Sequence, residues 1–354
     1  MIKSNYKVIG VMSGTSLDGI DLVYVSFDFY DKWSFQIINA ETTAYTSEWR
    51  GILKDLVLKT KAELIKIDTS YTGYLATIIK AFIQKHNITD FDFISSHGHT
   101  AWHQPQNKLT YQIGNLPHLA SLLNKAVVCD FRVQDVELGG QGAPLVPIGD
   151  TLLFSEFNFC LNLGGFANIS TNHKNIRIAY DICPVNIVLN HFVKQLGFDF
   201  DDKGNIAATG KINKELLDKL NDLNFYKKPY PKSLGLEWVK SEMIPLIMSF
   251  NIKVKDVLRT FVEHVAMQIS KELKMKQNAS VLITGGGAYN AYLISRIKFY
   301  NNQNIVLPTD DIIEFKEALI FGFLGVLKIR GENNCLHSVT GASRSHSSGK
   351  IFLK

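Results

Sequence analysis

Long apolar runs are missing from these 354 residues. None approaches the ~20 residues that a bilayer-crossing helix requires, and the charged, polar N-terminus has no apolar leader core. Cysteine is scarce. Cys129, Cys160, Cys183 and Cys335 are scattered and form no Cys-x-x-Cys pair, which excludes a zinc ribbon and a dithiol redox motif. Each sits in or near an apolar stretch and is expected as a buried, reduced thiol. Dense blocks of Lys and Arg are absent. The formal net charge of +5 is spread along the chain, which argues against nucleic acid as a partner and mildly favours small anionic ligands. Gly-x-x-x-x-Gly-Lys-[Ser/Thr] is absent, so a Walker-type P-loop is excluded. No Gly-x-Gly-x-x-Gly opens a first βαβ unit, which disfavours a dinucleotide fold. What remains is a soluble, cytoplasmic protein of ordinary globular composition, 46% hydrophobic and 20% charged, too long for one core and expected as two domains.

The most informative stretch is Gly10-Val-Met-Ser-Gly-Thr-Ser-Leu-Asp-Gly-Ile-Asp21. Apolar runs lead into and out of a turn holding Gly14, Thr15, Ser16, Leu17, Asp18 and Gly19, with Ile20 and Asp21 opening the second run. Gly14 and Gly19 can take positive φ and admit a ligand close to the backbone, and free amides in such a turn make an anion-binding concavity. Ser13, Thr15 and Ser16 add hydroxyl donors. Asp18 or Asp21 can hold a metal carried by a polyphosphate. A polar hairpin turn without a ligand fits the same residues.

A third strand over 35–44 completes a predicted antiparallel meander. Helices are predicted from Ser47 through Leu58 and from Asp68 to His86, the second with Tyr71, Leu75, Ile78, Ile79 and Phe82 on one side. A buried strand, 91–96, ends at His97-Gly-His-Thr100, a site position for an α/β sheet. His97, His99 and His103 cluster there, but spacing alone supplies neither a fourth ligand nor a metal geometry. A helix over 116–124 and a strand over 126–131 follow. The run Gly139-Gly-Gln-Gly-Ala-Pro144 to Pro147 is predicted to be the passage between domains.

The second half again opens with strands: 157–163, a break at Gly164-Gly165, then 166–170, and 176–180 ending on Asp181. The likeness to residues 6–44 is one of topology. A helix from Pro184 follows, and Asp181 reads locally as its N-cap. Residues 199–210 read as a solvated acidic turn leading to small residues, and 227–236 as an irregular basic surface loop. Asp256 starts an amphipathic helix bearing Val257, Leu258, Phe261, Val262, Val265, Ile269 and Leu273. It leads into the strand 280–284 and the triplet Gly285-Gly286-Gly287, where missing Cβ atoms suit a flat ring or a phosphate. Glu317 is read near the start of a last helix, as a carboxylate favouring its dipole.

Taken together, several blocks resemble the anhydro-N-acetylmuramic acid kinases of the sugar kinase/actin/Hsp70 superfamily. Besides residues 10–21 they are Ser96-His-Gly-His-Thr100, Gln112-Ile-Gly114, Asp130-Phe-Arg132, Gly139 to Pro147, Asn162-Leu-Gly-Gly-Phe-Ala-Asn-Ile-Ser170, Gly285-Gly-Gly-Ala-Tyr-Asn290 and Glu317-Ala-Leu-Ile-Phe321. They keep the family's order over nearly the full length. The resemblance implies an α/β fold of two ribonuclease H-like, actin-like ATPase domains with a central interdomain cleft. The domains are expected at 1–132 and 133–330, with the tail 331–354 packing back on the first. It implies ATP and Mg2+ as cofactors, a homodimer, and an amino sugar substrate whose 1,6-anhydro bridge is opened by water while O6 takes the γ-phosphate. The opening turn and Gly164-Gly165 would bind phosphate, and Gly285 to Gly287 would lie against adenosine. Asp181 would be the base for the water. His97, Arg132, Asn168, Asn186 and Glu317 would hold the sugar, and Asp18 and Asp21 would meet the metal.

The chain departs from the family after the base. The family reads Asp-Thr-Gly-Pro-Gly-Asn, and this chain reads Asp181-Ile-Cys-Pro-Val-Asn186. Trp102 stands where the family has an arginine. These departures are expected to touch the sugar pocket and spare the ATP loops. A kinase of a different amino sugar, or a catalytically impaired nucleotide-binding homologue, is the alternative.

Overall fold

The computed structural model describes residues 3–14 and 17–354. The chain forms two compact units, Met1–Phe154 with Phe315–Lys354, and Ser155–Glu314. The division thus falls after Phe154, not at the expected 132, and the last long helix contributes most of its length to the first unit.

The first unit is built on a sheet of β1 (Asn5–Ser13), β2 (Gly19–Phe29), β3 (Trp33–Ala44), β4 (Phe93–Gln104), β5 (Leu109–Ile113), β6 (Val127–Cys129) and the chain's last strand, β12 (Lys350–Phe352). Its order is β12-β6-β4-β1-β2-β3, with β5 paired to β4. The first three strands are antiparallel, β4 is parallel to β1, and β6 is parallel to β4. The tail returns here, because β12 pairs with β6. Successive side chains of a strand point to opposite faces, so the unbroken apolar stretch of β1 requires cover on both. On one face Ile9, Val11, Ile20 and Leu22 pack with Tyr71, Leu75, Ile79 and Phe82 of the helix Lys61–Lys85. A capping box of Thr60 and Glu63 starts that helix, seven residues earlier than the apolar pattern suggests. On the other face the helix Asp310–Arg330 lies so close that a Cβ at Gly10 would stand 2.3 Å from the Ala318 carbonyl oxygen.

The second unit carries β7 (Phe159–Leu163), β8 (Phe166–His173), β9 (Ile176–Pro184), β10 (Ser280–Thr284) and β11 (Asn304–Val306), in the order β11-β10-β7-β8-β9. Again the first three strands are antiparallel, and β10 and β11 continue in parallel from β7. The predicted stripe of the helix Val254–Leu273 packs with Leu161, Ile169 and Tyr180 in one core. Each such buried Leu, Ile or Phe contributes roughly 1.5–3 kcal/mol. Gly210 allows close approach to this helix, since a Cβ there would lie 2.1 Å from the Lys255 carbonyl oxygen. With β5, which pairs off the path, and β12 left aside, the strands of the first unit run 3-2-1-4-5 like those of the second, the ribonuclease H-like plan, so the topological repeat extends well beyond the opening meander. All four cysteines are buried and none is in a disulfide. Among the described residues no helix is long and apolar enough to cross a membrane.

Three expectations are corrected. The helix at 47–58 is shorter: Thr46 caps Ser47–Lys54, and Leu56–Leu58 is a separate 3-10 turn. Residues 139–147 are not a passage between domains. Gly142 N donates to Asp135 Oδ2 at 2.7 Å, Gln141 N donates to the Thr340 carbonyl at 2.8 Å, and the loop stays within the first unit. Glu317 is not in a first turn. The helix begins at Asp310, and Asp310 and Asp311 are its first-turn acids.

Candidate active site

In the first unit the opening turn joins β1 to β2 between the paired residues Ser13 and Ile20. Thr15 and Ser16 lie outside the described residues. Positive φ falls on Leu17 (φ 63°), a conformation costing a non-glycine residue roughly 1–2 kcal/mol. Leu17 packs against the buried core beneath, which offsets that cost. Gly19 does not take positive φ. Its hydrogen is needed for another reason, because a Cβ would stand 2.6 Å from the Thr43 carbonyl oxygen. Ile20 is fully buried, so its backbone alone is open to a ligand. Ser13 is not a free hydroxyl donor. Its Oγ is buried between the hydroxyls of Tyr45 and Tyr71 (2.7 Å to Tyr71) and His99 Nδ1 at 2.9 Å. Burial pushes the His99 imidazole down to about 4, so the knot is neutral. Asp18 is exposed, and Asp21 accepts from Thr42 Oγ1 at 2.6 Å. A solvent-facing carboxylate beside a backbone turn suits a metal carried on a polyphosphate.

The polar end of β4 brings three predicted sugar residues together. Arg132 Nε donates to His97 Nε2 at 2.8 Å, and His97 Nδ1 donates to the Gly98 carbonyl at 2.8 Å. Burial, then the guanidinium, holds the His97 imidazole well below its ordinary range, so it is neutral. Arg132 also donates to the Gly142 carbonyl at 2.6 Å, which explains why the glycine loop is folded back. The charges of Arg132 and Lys316 oppose the upward push that the surrounding protein exerts on Glu317. Because Glu317 is solvent-exposed, that push is discounted. The histidine cluster is not a metal centre. His103 Nδ1 pairs with Thr110 Oγ1 at 3.1 Å, and each histidine has its own partner.

A grouping that the sequence did not suggest lies behind this loop. Asp135 Oδ1 accepts from Cys335 Sγ at 3.0 Å and from Thr340 Oγ1 at 2.8 Å, with His346 Nε2 at 3.7 Å. Burial and the carboxylate push the Cys335 thiol up, which keeps it protonated. This is a structural knot joining tail to loop, and 200 residues separate its members in sequence.

In the second unit Asn168 and Asp181 face one another across β8 and β9, with a bulge at Ile182. A bulge re-aims the side chain beside it. Asp181 does not cap the following helix. That helix begins at Asn186, its cap residue Val185 makes no side-chain cap bond, and Asp181 Oδ2 accepts from Leu234 N at 2.8 Å. Burial raises the Asp181 carboxyl and the Leu234 amide partly lowers it again. The segment 228–234 is the irregular, mostly exposed loop expected, and Lys232 and Leu234 within it meet the candidate base.

The second unit's glycines sort by what surrounds them. Cβ atoms at Gly285 and Gly287 would stand 2.4 Å from Asn162 Oδ1 and 2.7 Å from Leu163 Cβ, so both are needed for packing. At Gly165 and Gly286 the nearest atoms are 3.9 Å away, and these positions stay open to a ligand. Asn186 stands beside Gly286, its Nδ2 donating to the Leu163 carbonyl at 3.3 Å. The carbonyls of Gly164 and Gly165 accept from Asn186 N and Val185 N, tying this turn to the helix start. The departures from the family pattern are core residues: Ile182, Cys183 and Val185 are all buried in the main cluster.

Two sheets that share a 3-2-1-4-5 core, each opening on a glycine-bearing turn, define the class of actin-like ATPases. Within it, the chain belongs to the anhydro-N-acetylmuramic acid kinase family, whose model matches residues 6–354. The anhydro-N-acetylmuramic acid kinase of Haemophilus influenzae is 32% identical, with 98% of this chain and 97% of the relative covered. That of Actinobacillus pleuropneumoniae serotype 7 is 33% identical over the whole of both chains. That of Sulfurimonas denitrificans is 31% identical, covering 97% of this chain and 98% of the relative.

Proposed function

We propose that this chain is an ATP-dependent kinase of 1,6-anhydro-N-acetylmuramic acid, yielding N-acetylmuramic acid 6-phosphate. The observation that carries the reading is Asp181, a carboxylate aimed by a strand bulge and held by one backbone amide, in a chain matched to the family from residue 6 to 354. Asp181 takes a proton from water, and the water oxygen bonds to C1. The C1–O6 bond breaks, O6 attacks the γ-phosphorus in line, and ADP leaves. The proton on Asp181 passes to solvent. Its raised carboxyl suits this work, because a base is most effective with its pKa near the operating pH.

The remaining roles follow the same reading. Residues 14–21, with Gly164 and Gly165, bind phosphate, and Gly285 to Gly287 bind adenosine. His97, Arg132, Asn168, Asn186 and Glu317 hold the sugar. Arg132 is the cation for the sugar's lactyl carboxylate. Asp18 and Asp21 would hold Mg2+, which when bound neutralises phosphate charge. On the family resemblance we also propose a homodimer, a cytoplasmic setting and a place in peptidoglycan recycling.

The test is turnover in labelled water. With ATP, Mg2+ and the anhydro sugar the protein should release ADP, and the product should carry one labelled oxygen at C1. An unlabelled C1 oxygen would reduce the reading to that of an ordinary hydroxyl kinase. No ADP release with any anhydro sugar would sink it. The burial of Ile182, Cys183 and Val185 supports this reading over the impaired homologue, since those side chains pack the core instead of lining a surface.

A further inference from the structure

We infer that the segment 228–234, anchored by Lys232, is a positioning strap that sets the ionisation and aim of Asp181. The inference rests on the assignment of Asp181 as base. The strap grips the aspartate twice: Asp181 N donates to the Lys232 carbonyl at 3.0 Å, and Leu234 N donates to Asp181 Oδ2 at 2.8 Å. Among the described residues the Leu234 amide is the hydrogen-bond donor that meets this carboxylate. An amide donating to a carboxylate favours its charged form, and here it works against burial.

The strap has almost no secondary structure, so its place depends on side chains. Lys232 is the anchor. Its side chain is only 6% exposed, and its Nζ meets Glu272 Oε1 at 3.3 Å on the helix Val254–Leu273. The ammonium also lies 5.1 Å from the Phe225 ring centroid and 5.9 Å from that of Tyr180. Tyr180 OH donates to the other oxygen of Glu272 at 2.8 Å, and the Tyr180 ring stacks on Tyr230 of the strap. Leu234 packs against the core of the unit. A buried lysine bound this way resists movement, because losing its partner leaves a desolvated charge.

The ionisable groups on the strap and on the elements packed against it are Lys232, Tyr230, Tyr180, Cys183 and Glu272, and of these Cys183 feels the Asp181 charge. Burial pushes both Tyr180 and Cys183 up, so both stay neutral. Lys232 and Glu272 offset one another. The Leu234 amide is therefore the adjustable influence, and the Lys232 anchor decides whether it is in place.

Lys232→Met keeps the stem and removes the charge. The strap loosens, the amide bond weakens, and the Asp181 carboxyl rises. A base that must be ionised then fails at higher pH, so the acid limb of kcat/KM should move up by about one pH unit. Along the acid limb kcat/KM should fall by up to about tenfold and recover at pH values above the limb, with KM for ATP unchanged. Lys232→Arg should restore the wild-type profile. A purely structural role would lower kcat/KM equally at every pH and leave the limb in place, which would overturn the inference.

Carbon-13 titration of the Asp181 carboxyl in wild type and Lys232→Met needs no turnover. A carboxyl that moves up in the variant, with no labelled product from wild type, would sink the function and keep the strap. Labelled product with an unmoved carboxyl would sink the strap alone. Should Lys232→Met not fold, Tyr180→Phe, which removes only one bond to Glu272, should move the limb in the same direction by a smaller amount.

Discussion

The two units share a strand order and differ in what lies beneath the turn between their first two strands. Under the first unit's turn is a polar knot, in which Ser13, Tyr45, Tyr71 and His99 satisfy one another out of solvent. Under the second is a tie to a helix, through the carbonyls of Gly164 and Gly165. Their second and third strands differ likewise. In the first unit Asp21 sits opposite Thr42 and accepts its hydroxyl. In the second Asp181 sits opposite Asn168, beside a bulge, and its oxygen is met by an amide from a distant segment. One topology thus carries two chemistries. Hydrogen-bonded ladders determine the order of strands, while a single bulge or strap decides how a carboxylate is held, Asp21 by a hydroxyl on the neighbouring strand and Asp181 by an amide from a distant segment.

The comparison is broken most sharply at those two aspartates. Asp181→Asn should reduce kcat by about 10³-fold or more, with little change in melting temperature, because it removes a base and only one hydrogen bond. Thr42→Val, which removes the hydroxyl that Asp21 accepts, should cost only about 1 kcal/mol by urea denaturation. If Asp181→Asn turned over at the wild-type rate, the contrast between the aspartates would fail.

The glycines sharpen it next. Gly10→Val should cost about 3 kcal/mol of stability, since its side chain meets a helix backbone that cannot yield. Gly286→Ala should leave stability within about 0.5 kcal/mol, because that position is open. It should instead raise KM for ATP several-fold. Chemical denaturation and ADP-release kinetics on the two variants separate packing glycines from binding ones.

Acid stability gives the smallest separation between the units. The His99 imidazole is pushed down to about 4, and that of His264, bonded to Asn221 and Tyr226, to about 3. Both lie below the unfolded value, so the unfolded chain binds more protons in this range. Stability is complete above about pH 6.5 and is lost as pH falls below it, down to the folded values. At its lower limit that loss is roughly 3 kcal/mol for His99 and roughly 5 kcal/mol for His264. His99→Gln should flatten the acid limb of the first unit's melting, and His264→Gln that of the second.

Much of the candidate site was legible from local pattern. The turn at residues 14–21, the break at Gly164-Gly165 and the triplet at 285–287 stand out because apolar runs stop at glycine, and His97 because polar residues end a buried strand, while Arg132 came only from the family resemblance. The strap was not legible. Lys-Lys-Pro-Tyr-Pro-Lys has no period, and composition alone marks it as solvated loop. Nor was the role of Leu17, since leucine gives no sign of a left-handed backbone.

The sequence by itself determined where strands and helices run, which residues pack in each core, and which family the chain joins. Periodicity, capping residues and residue order are local, and they survive without a fold. Only the tertiary structure decided what each polar group faces. Asp181 meets Leu234, Asp135 meets Cys335, and Gly10 meets Ala318, each across tens to hundreds of residues. Those meetings depend on how sheets and helices close on one another, and no spacing along the chain encodes them.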